Sequence, residues 1–271
     1  MSIEGKFLQE DLQRIRGFRL MDDDFMSKCF EDYACVELVL RIILEKEDIK
    51  VEQVRTQYKI KNLQGRSIIL DIYATDKSGK RYNIEIQRAD HGAGAKRARY
   101  HSSLMDADIT EPGERLENLE ETYVVFITEN DVLGKGLPLY HIDRVIAETG
   151  TLFGDEAHIL YVNGAYRDDS PVGKLMHDFS CTEPEEMYYK PLEERTRYFK
   201  ENEEGVGSMC REMEKMRDEA ASKAAKEAKI ATKRKIIENL LSLGALSVED
   251  IAKASELSIT EVQAIASNMK E

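Results

Sequence analysis

Ile68-Ile69-Leu70-Asp71-Ile72-Tyr73, the segment Asp76-Lys77-Ser78-Gly79-Lys80, and Asn83-Ile84-Glu85-Ile86-Gln87 decide how this chain is read. The two outer stretches are short and rich in Ile, and a polar, Gly-containing segment divides them, as in two strands joined by a turn. Asp71 is an acid set inside an apolar run, and Glu85 follows it by fourteen residues. With the turn centred between Ser78 and Gly79, Asp71 falls opposite Ile86 and diagonally beside Glu85 and Gln87. Alternation along the second strand then sends Glu85 and Gln87 to one face and Ile84 and Ile86 to the other.

Outward from this hairpin, Val51 to Ile60 reads as a further strand, giving an antiparallel meander with Ser67 to Thr75 and Tyr82 to Gln87. Before it, a periodic run starts after Met21-Asp22-Asp23-Asp24, where acidic residues suit a helix N-terminus. It continues through Phe25, Phe30, Tyr33, Val36, Leu40 and Ile43, which predicts one helix with one buried face. Ala93 to Asp108 holds good helix formers and no Pro, so a second helix is expected there. Thr122 to Thr128 reads as a strand buried on both faces.

From Asn130 to about Gly207 the pattern weakens, with a helix expected over Ile142 to Glu148, a strand over His158 to Val162 and a helix over Pro171 to Ser180. Glu212 to Leu243 predicts a long charged, Ala-rich helix ending near Gly244. Two short helices follow in a helix-turn-helix shape, with Ser247 and Ser258 as N-caps and Asp250 and Glu261 three residues beyond them. The expected organisation is a mixed α/β domain over 1–207, a long helix or linker over 208–244 and a small helical module over 245–271.

Composition sets limits on function. Hydrophobic residues make up 42% and charged residues 34%, with only 5 Pro, the profile of a chain that folds around a core. There is no apolar run long enough to span a bilayer, and Met1-Ser2-Ile3-Glu4-Gly5-Lys6 lacks the order of a signal peptide, so a cytoplasmic protein without membrane partners is expected. Cys29, Cys35, Cys181 and Cys210 share no CxxC spacing, which points to reduced thiols rather than a zinc site or disulfides. The net charge of −13 excludes a protein that coats nucleic acid indiscriminately. Charge is uneven, however: Lys215 to Lys235 holds eight basic residues against three acidic, and Glu111 to Glu121 five acidic against one basic.

The chemistry follows from the hairpin. Two carboxylates converging from adjacent strands offer hard oxygen ligands suited to Mg²⁺ or Mn²⁺, ions that bind through one or two carboxylates and keep waters for a substrate phosphate. Such an ion orients a phosphodiester and lowers the pKa of an attacking water.

This arrangement resembles the PD-(D/E)XK nuclease superfamily, with Asp71 at the signature Asp, Glu85 at the second acid and Gln87 where Lys is usual. The likeness extends to its bacterial branch of family transposases, or recombination-promoting nucleases, whose pattern ends in ExQ. It is carried by Asp24-Phe25 to Phe30, Leu70-Asp71-Ile72, Asn83 to Gln87, Lys96-Arg97-Ala98-Arg99-Tyr100 and Tyr123-Val124-Val125-Phe126-Ile127. The resemblance implies a restriction-endonuclease-like α/β core and a magnesium-dependent DNA endonuclease linked to recombination or mobile elements. Asp71, Glu85 and Gln87 would be catalytic, with Asp71 and Glu85 holding the metal. A neutral Gln87 positions a water but supplies no positive charge. Glu37, on the first long helix, is the candidate for an additional metal carboxylate, and Lys96, Arg97 and Arg99 for contacts to DNA phosphates.

His91-Gly92-Ala93-Gly94-Ala95-Lys96 lacks the spacing of a phosphate loop, and the five His show no HExxH spacing, so neither a nucleotide site nor a zinc hydrolase is expected. No small-molecule cofactor is indicated. The expected partner is DNA, with a homodimer left open. Two alternatives stand beside the nuclease reading: a non-catalytic DNA-binding protein working through the C-terminal module, where Thr260, Glu261, Gln263, Ser267 and Asn268 are the polar groups, or a partner-binding protein.

Overall fold

The computed structural model describes residues 8–88, 90–244, 246–255 and 257–268. Met1 to Lys6 and the side chains of His91 and Asn268, all read above from the sequence, lie outside the described residues. By their contacts the residues form two units, Met1–Cys210 and Arg211–Glu271.

The first unit is built on a six-stranded sheet: β1 (Val51–Ile60), β2 (Ile68–Asp76), β3 (Arg81–Gln87), β4 (Thr122–Thr128), β5 (Leu139–Ile142) and β6 (Ala157–Asn163), in the order β1-β2-β3-β4-β6-β5. The first three form the expected antiparallel meander. β3, β4 and β6 run parallel, and β5 closes the edge antiparallel to β6. Parallel neighbours need a long crossover. Between β3 and β4 that crossover carries α4 (Ala95–Ile109), whose Ala98, Leu104 and Met105 pack with Tyr73, Val124, Phe126 and Tyr161. β4 is buried at every residue, as its uninterrupted apolar run requires.

Helices α1 (Gln9–Arg16), α2 (Asp23–Cys29), α3 (Tyr33–Leu44), α5 (Pro171–Ser180) and α6 (Lys190–Glu201) complete this unit. α2 and α3 pack on β1, and α5 and α6 pack on α3. The single helix expected from Phe25 to Ile43 is therefore two. The break falls at Asp32, whose carboxylate accepts the Ala34 N–H at 2.9 Å and caps a new helix, a local bond that competes with helix continuation.

Two further expectations are corrected. The segment from Ile142 to Glu148 is not helical: Ile142 ends β5, and Val145 and Leu152 form an isolated bridge beyond it. The β2–β3 register is one residue from that expected, with Ile72 opposite Ile84 and Thr75 opposite Arg81. Asp76 causes the shift. Its Oδ1 accepts the N–H groups of Ser78 at 2.9 Å and Lys80 at 3.1 Å, so the turn centres on Ser78, with Gly79 at φ 90. Asp71 is thereby brought level with Glu85.

α7 runs from Glu203 to Leu243, starting before the expected Glu212, and crosses the boundary between the units. In the second unit Ile237, Ile251, Ala252 and Val262 make a small core joining α7 to α8 (Val248–Ser255) and α9 (Ile259–Asn268). Both expected caps form: Ser247 Oγ accepts the Asp250 N–H at 3.1 Å, and Ser258 Oγ accepts that of Glu261 at 3.3 Å. Among the described residues no helix is long and apolar enough to cross a membrane.

Candidate active site

Beyond the Ile72–Ile84 pair, side-chain carboxylates take over the strand-to-strand hydrogen bonds. The Asp71 N–H donates to Glu85 Oε1 at 3.3 Å, and the Ile86 N–H donates to Asp71 Oδ2 at 3.0 Å. Each acid thus caps a main-chain donor of the other strand, which holds the two carboxylates side by side at the end of the hairpin pairing. Glu85 is 0% exposed, so its charge needs a partner.

That partner comes from α4. Arg97 Nη2 donates to Glu85 Oε2 at 2.8 Å, and its Nη1 donates to Gln87 Oε1 at 3.0 Å and to the Gly92 carbonyl at 2.7 Å. Its Nε donates to His101 Nε2 at 3.2 Å, and the guanidinium lies 5.7 Å from the Phe126 ring centre. Arg97 and His101 are one helical turn apart, so both face β3. The Arg97 bond makes Nε2 of His101 the acceptor, leaving the proton on Nδ1, which stands 3.5 Å from Glu85 Oε1 and 3.2 Å from the Asn83 amide. Asn83 Oδ1 is buried without a partner. Turning that amide over makes Oδ1 the acceptor of the His101 Nδ1–H.

Gly92 has a steric task here. A Cβ at this position would lie 2.2 Å from Gln87 Oε1, so glycine lets the Gln87 amide stay where it is while the Gly92 carbonyl holds Arg97.

The electrostatics are those of crowded acids. Burial first, and then the neighbouring Glu85, push the Asp71 carboxyl up to about 7. The charge of Asp23, the first residue of α2, pushes the same way. Asp23 is itself raised by burial, by Asp22 and by Glu85. Arg97 is the cation that opposes this on Asp71. The donor set fits a hard divalent cation: carboxylate oxygens drawn together against their own repulsion, where an added positive charge relieves the strain.

The structure brings Asp71, Glu85, Gln87 and Arg97 together. It gives Arg97 carboxylate, amide and carbonyl partners where phosphate was expected. It does not bring Glu37 to them. Glu37 Oε2 pairs with Arg41 at 2.6 Å and its Oε1 accepts the Val51 N–H at 2.9 Å, fastening α3 to the start of β1. The helical acid whose charge reaches the pair is Asp23. Lys96 and Arg99 lie exposed on α4, away from the sheet-facing side that carries Arg97 and His101.

Sequence reasoning missed Asn83, His101 and Asp23. The four-residue spacing of Arg97 and His101 was the available signal for one of them. It also missed the His177, Asp178 and Cys181 group, whose candidate ligand atoms lie within 4.8 Å of one another. Asp178 accepts the N–H groups of Tyr188 and Tyr189, both at 2.8 Å, and so fastens the loop before α6. Cys29, Cys35 and Cys181 are buried free thiols.

Neither a curated protein nor a solved structure gave a significant match to the chain. A family model did. It covers residues 35–166, from α3 through the Asp71 and Glu85 hairpin and α4 to the end of β6, and over that stretch the chain is similar to the PD-(D/E)XK nuclease family transposases.

Proposed function

We propose that this site hydrolyses DNA phosphodiester bonds with the help of Mg²⁺ or Mn²⁺, in cleavage that serves recombination or mobile elements. The observation that carries the reading is the pair Asp71 and Glu85, each bonded to the other strand's main chain, with Arg97 joining Glu85 to Gln87. Asp71 and Glu85 would hold the cation. When bound, it supplies charge stabilisation at the phosphate oxygens and acidifies a water.

The protein's own groups do the rest. Gln87 Oε1 is fixed by Arg97, which leaves the amide N–H groups to place the attacking water or a phosphate oxygen. Arg97 supplies the positive charge that Gln87 lacks, one hydrogen bond behind it, and its 38% exposure leaves the guanidinium open to substrate. His101 and Asn83 hold Arg97 and Glu85 in place. The sequence offers no third acid in a DDE arrangement, so cleavage that provokes recombination is the narrower activity.

The test is Mg²⁺-dependent nicking of supercoiled plasmid by wild type, Asp71→Ala and Glu85→Ala, each checked for folding. Activity lost in both variants is the expected result. Full activity in folded Asp71→Ala would overturn the reading.

A further inference from the structure

A single exposed leucine means little by itself. Leu63 is different in its setting: it is 97% exposed at the tip of the β1–β2 hairpin, and the tip is held rigidly. The Asn62 N–H donates to Ser67 Oγ at 3.1 Å, and Asn62 Oδ1 accepts the Gln64 N–H at 3.0 Å. Asn62 Nδ2 donates to Tyr100 Oη at 3.2 Å, and the Tyr100 hydroxyl donates to the Arg66 carbonyl. The hairpin tip is therefore fastened to the first turns of α4.

This docking joins two segments, 59–67 and 95–100, that together carry Lys59, Lys61, Arg66, Lys96, Arg97 and Arg99 and no acidic residue. On a chain of net charge −13 that is a pronounced local reversal. Lys59, Lys61, Arg66, Lys96 and Arg99 are all exposed. Leu63 is eight residues from Asp71, at most about 26 Å along an extended strand. That reach equals roughly eight base pairs at about 3.4 Å each.

We propose that the β1–β2 hairpin is a duplex-DNA probe, in which Lys61 and Arg66 hold phosphates on either side of a groove and Leu63 enters between base steps a few pairs from the cut. An apolar tip between cations is the design that unstacks and bends a duplex, whereas an acidic tip would be repelled from the phosphates. The inference rests on the reading of the Asp71 and Glu85 site as a DNA-cleaving centre, and it makes duplex rather than single-stranded DNA the substrate.

The experiment uses the full chain and a duplex carrying 2-aminopurine at successive positions, in EDTA so that no cleavage intervenes, with plasmid nicking measured in parallel. Wild-type binding should raise 2-aminopurine fluorescence at one step. Leu63→Ala should abolish that rise and weaken duplex binding roughly tenfold, the order expected when a leucine loses its burial. Leu63→Met, which keeps a long apolar side chain, should retain both. Lys61→Ala with Arg66→Ala should lower the slope of log affinity against log salt by about 1.8, or about 0.9 for each phosphate no longer neutralised. If Leu63→Ala binds as tightly as wild type with the same fluorescence rise, the hairpin proposal fails, and nicking kept by Leu63→Ala but lost in Asp71→Ala and Glu85→Ala leaves the site reading standing. A wild type that neither binds duplex nor nicks plasmid overturns both.

Discussion

Replacing Asp71 by Asn should make the protein more stable at alkaline pH while removing its activity. In the fold, Asp71 titrates near 7 because it is buried against Glu85, against an ordinary value of 3.8. A carboxyl raised on folding binds protons that the unfolded chain has already lost, so stability falls as pH rises between those two values. Below about 4 the group is protonated in both states and costs nothing; above about 7 it is charged in both, and the whole penalty is present. At about 1.36 kcal/mol per pH unit, the interval corresponds to about 4 kcal/mol at pH 8. Glu85 shares the repulsion, so a gain of about 2 to 4 kcal/mol is expected from the neutral amide. Asn keeps the shape, and its Oδ1 can accept the Ile86 N–H as Asp71 Oδ2 does.

The assay is thermal unfolding followed by circular dichroism at pH 5 and pH 8, in EDTA and then with excess Mg²⁺. At pH 8 in EDTA, Asp71→Asn should melt about 5 to 10 °C above wild type, taking about 2–4 °C for each kcal/mol in a unit of this size. At pH 5, only about 1.2 pH units above the ordinary carboxyl value of 3.8, the difference should fall to less than half. Mg²⁺ should raise the melting temperature of wild type at pH 8 and leave that of Asp71→Asn nearly unchanged, since a ligand stabilises only the state that binds it. An Asn variant no more stable than wild type at pH 8, or stabilised equally at pH 5, refutes the account of Asp71 as a carboxylate strained by its neighbour.

Much of this site was legible because a strand has a short, strict period. An acid in an apolar strand, a Gly turn and an ExQ strand bring two carboxylates together whatever the exact register, which is why a one-residue error at Asp76 left the pairing of Asp71 and Glu85 intact. The buried β4 and the capped helices α8 and α9 were equally readable, since each rests on local pattern. What could not be read depends on contacts between distant segments. Nothing in the sequence near Arg97 says that it turns inward to Glu85 and Gln87 rather than outward to solvent; the packing of α4 on β4 and β6 decides that. Glu37 and Asp23 are both helical acids. Only the fold shows that Lys50 and Arg41 surround the first, while the second, at the first residue of α2, lies within electrostatic reach of the carboxylate pair.

The other residues around the pair can be separated by what they touch. Arg97→Ala leaves Glu85 buried without its guanidinium, and because Arg97 is itself 38% exposed the loss should be held to about 1–3 kcal/mol in urea unfolding. Nicking should fall far more in that variant than stability does, and Arg97→Lys, which cannot span Glu85 and Gln87 together, should restore folding but little activity. Gly92→Ala should keep the fold yet cut nicking at least tenfold, because its Cβ would displace the Gln87 amide; wild-type rates in this variant would show that Gln87 is not held where the reaction needs it. Glu37→Gln separates a metal carboxylate from a structural one. The change removes the charge opposing Arg41 and Lys50 but keeps an oxygen for the Val51 N–H, so it should cost about 1 kcal/mol in unfolding and leave the Mg²⁺ concentration for half-maximal nicking unchanged. A carboxylate that held the cation would shift that concentration upward when neutralised, and such a shift would return Glu37 to the site from which its hydrogen bonds separate it.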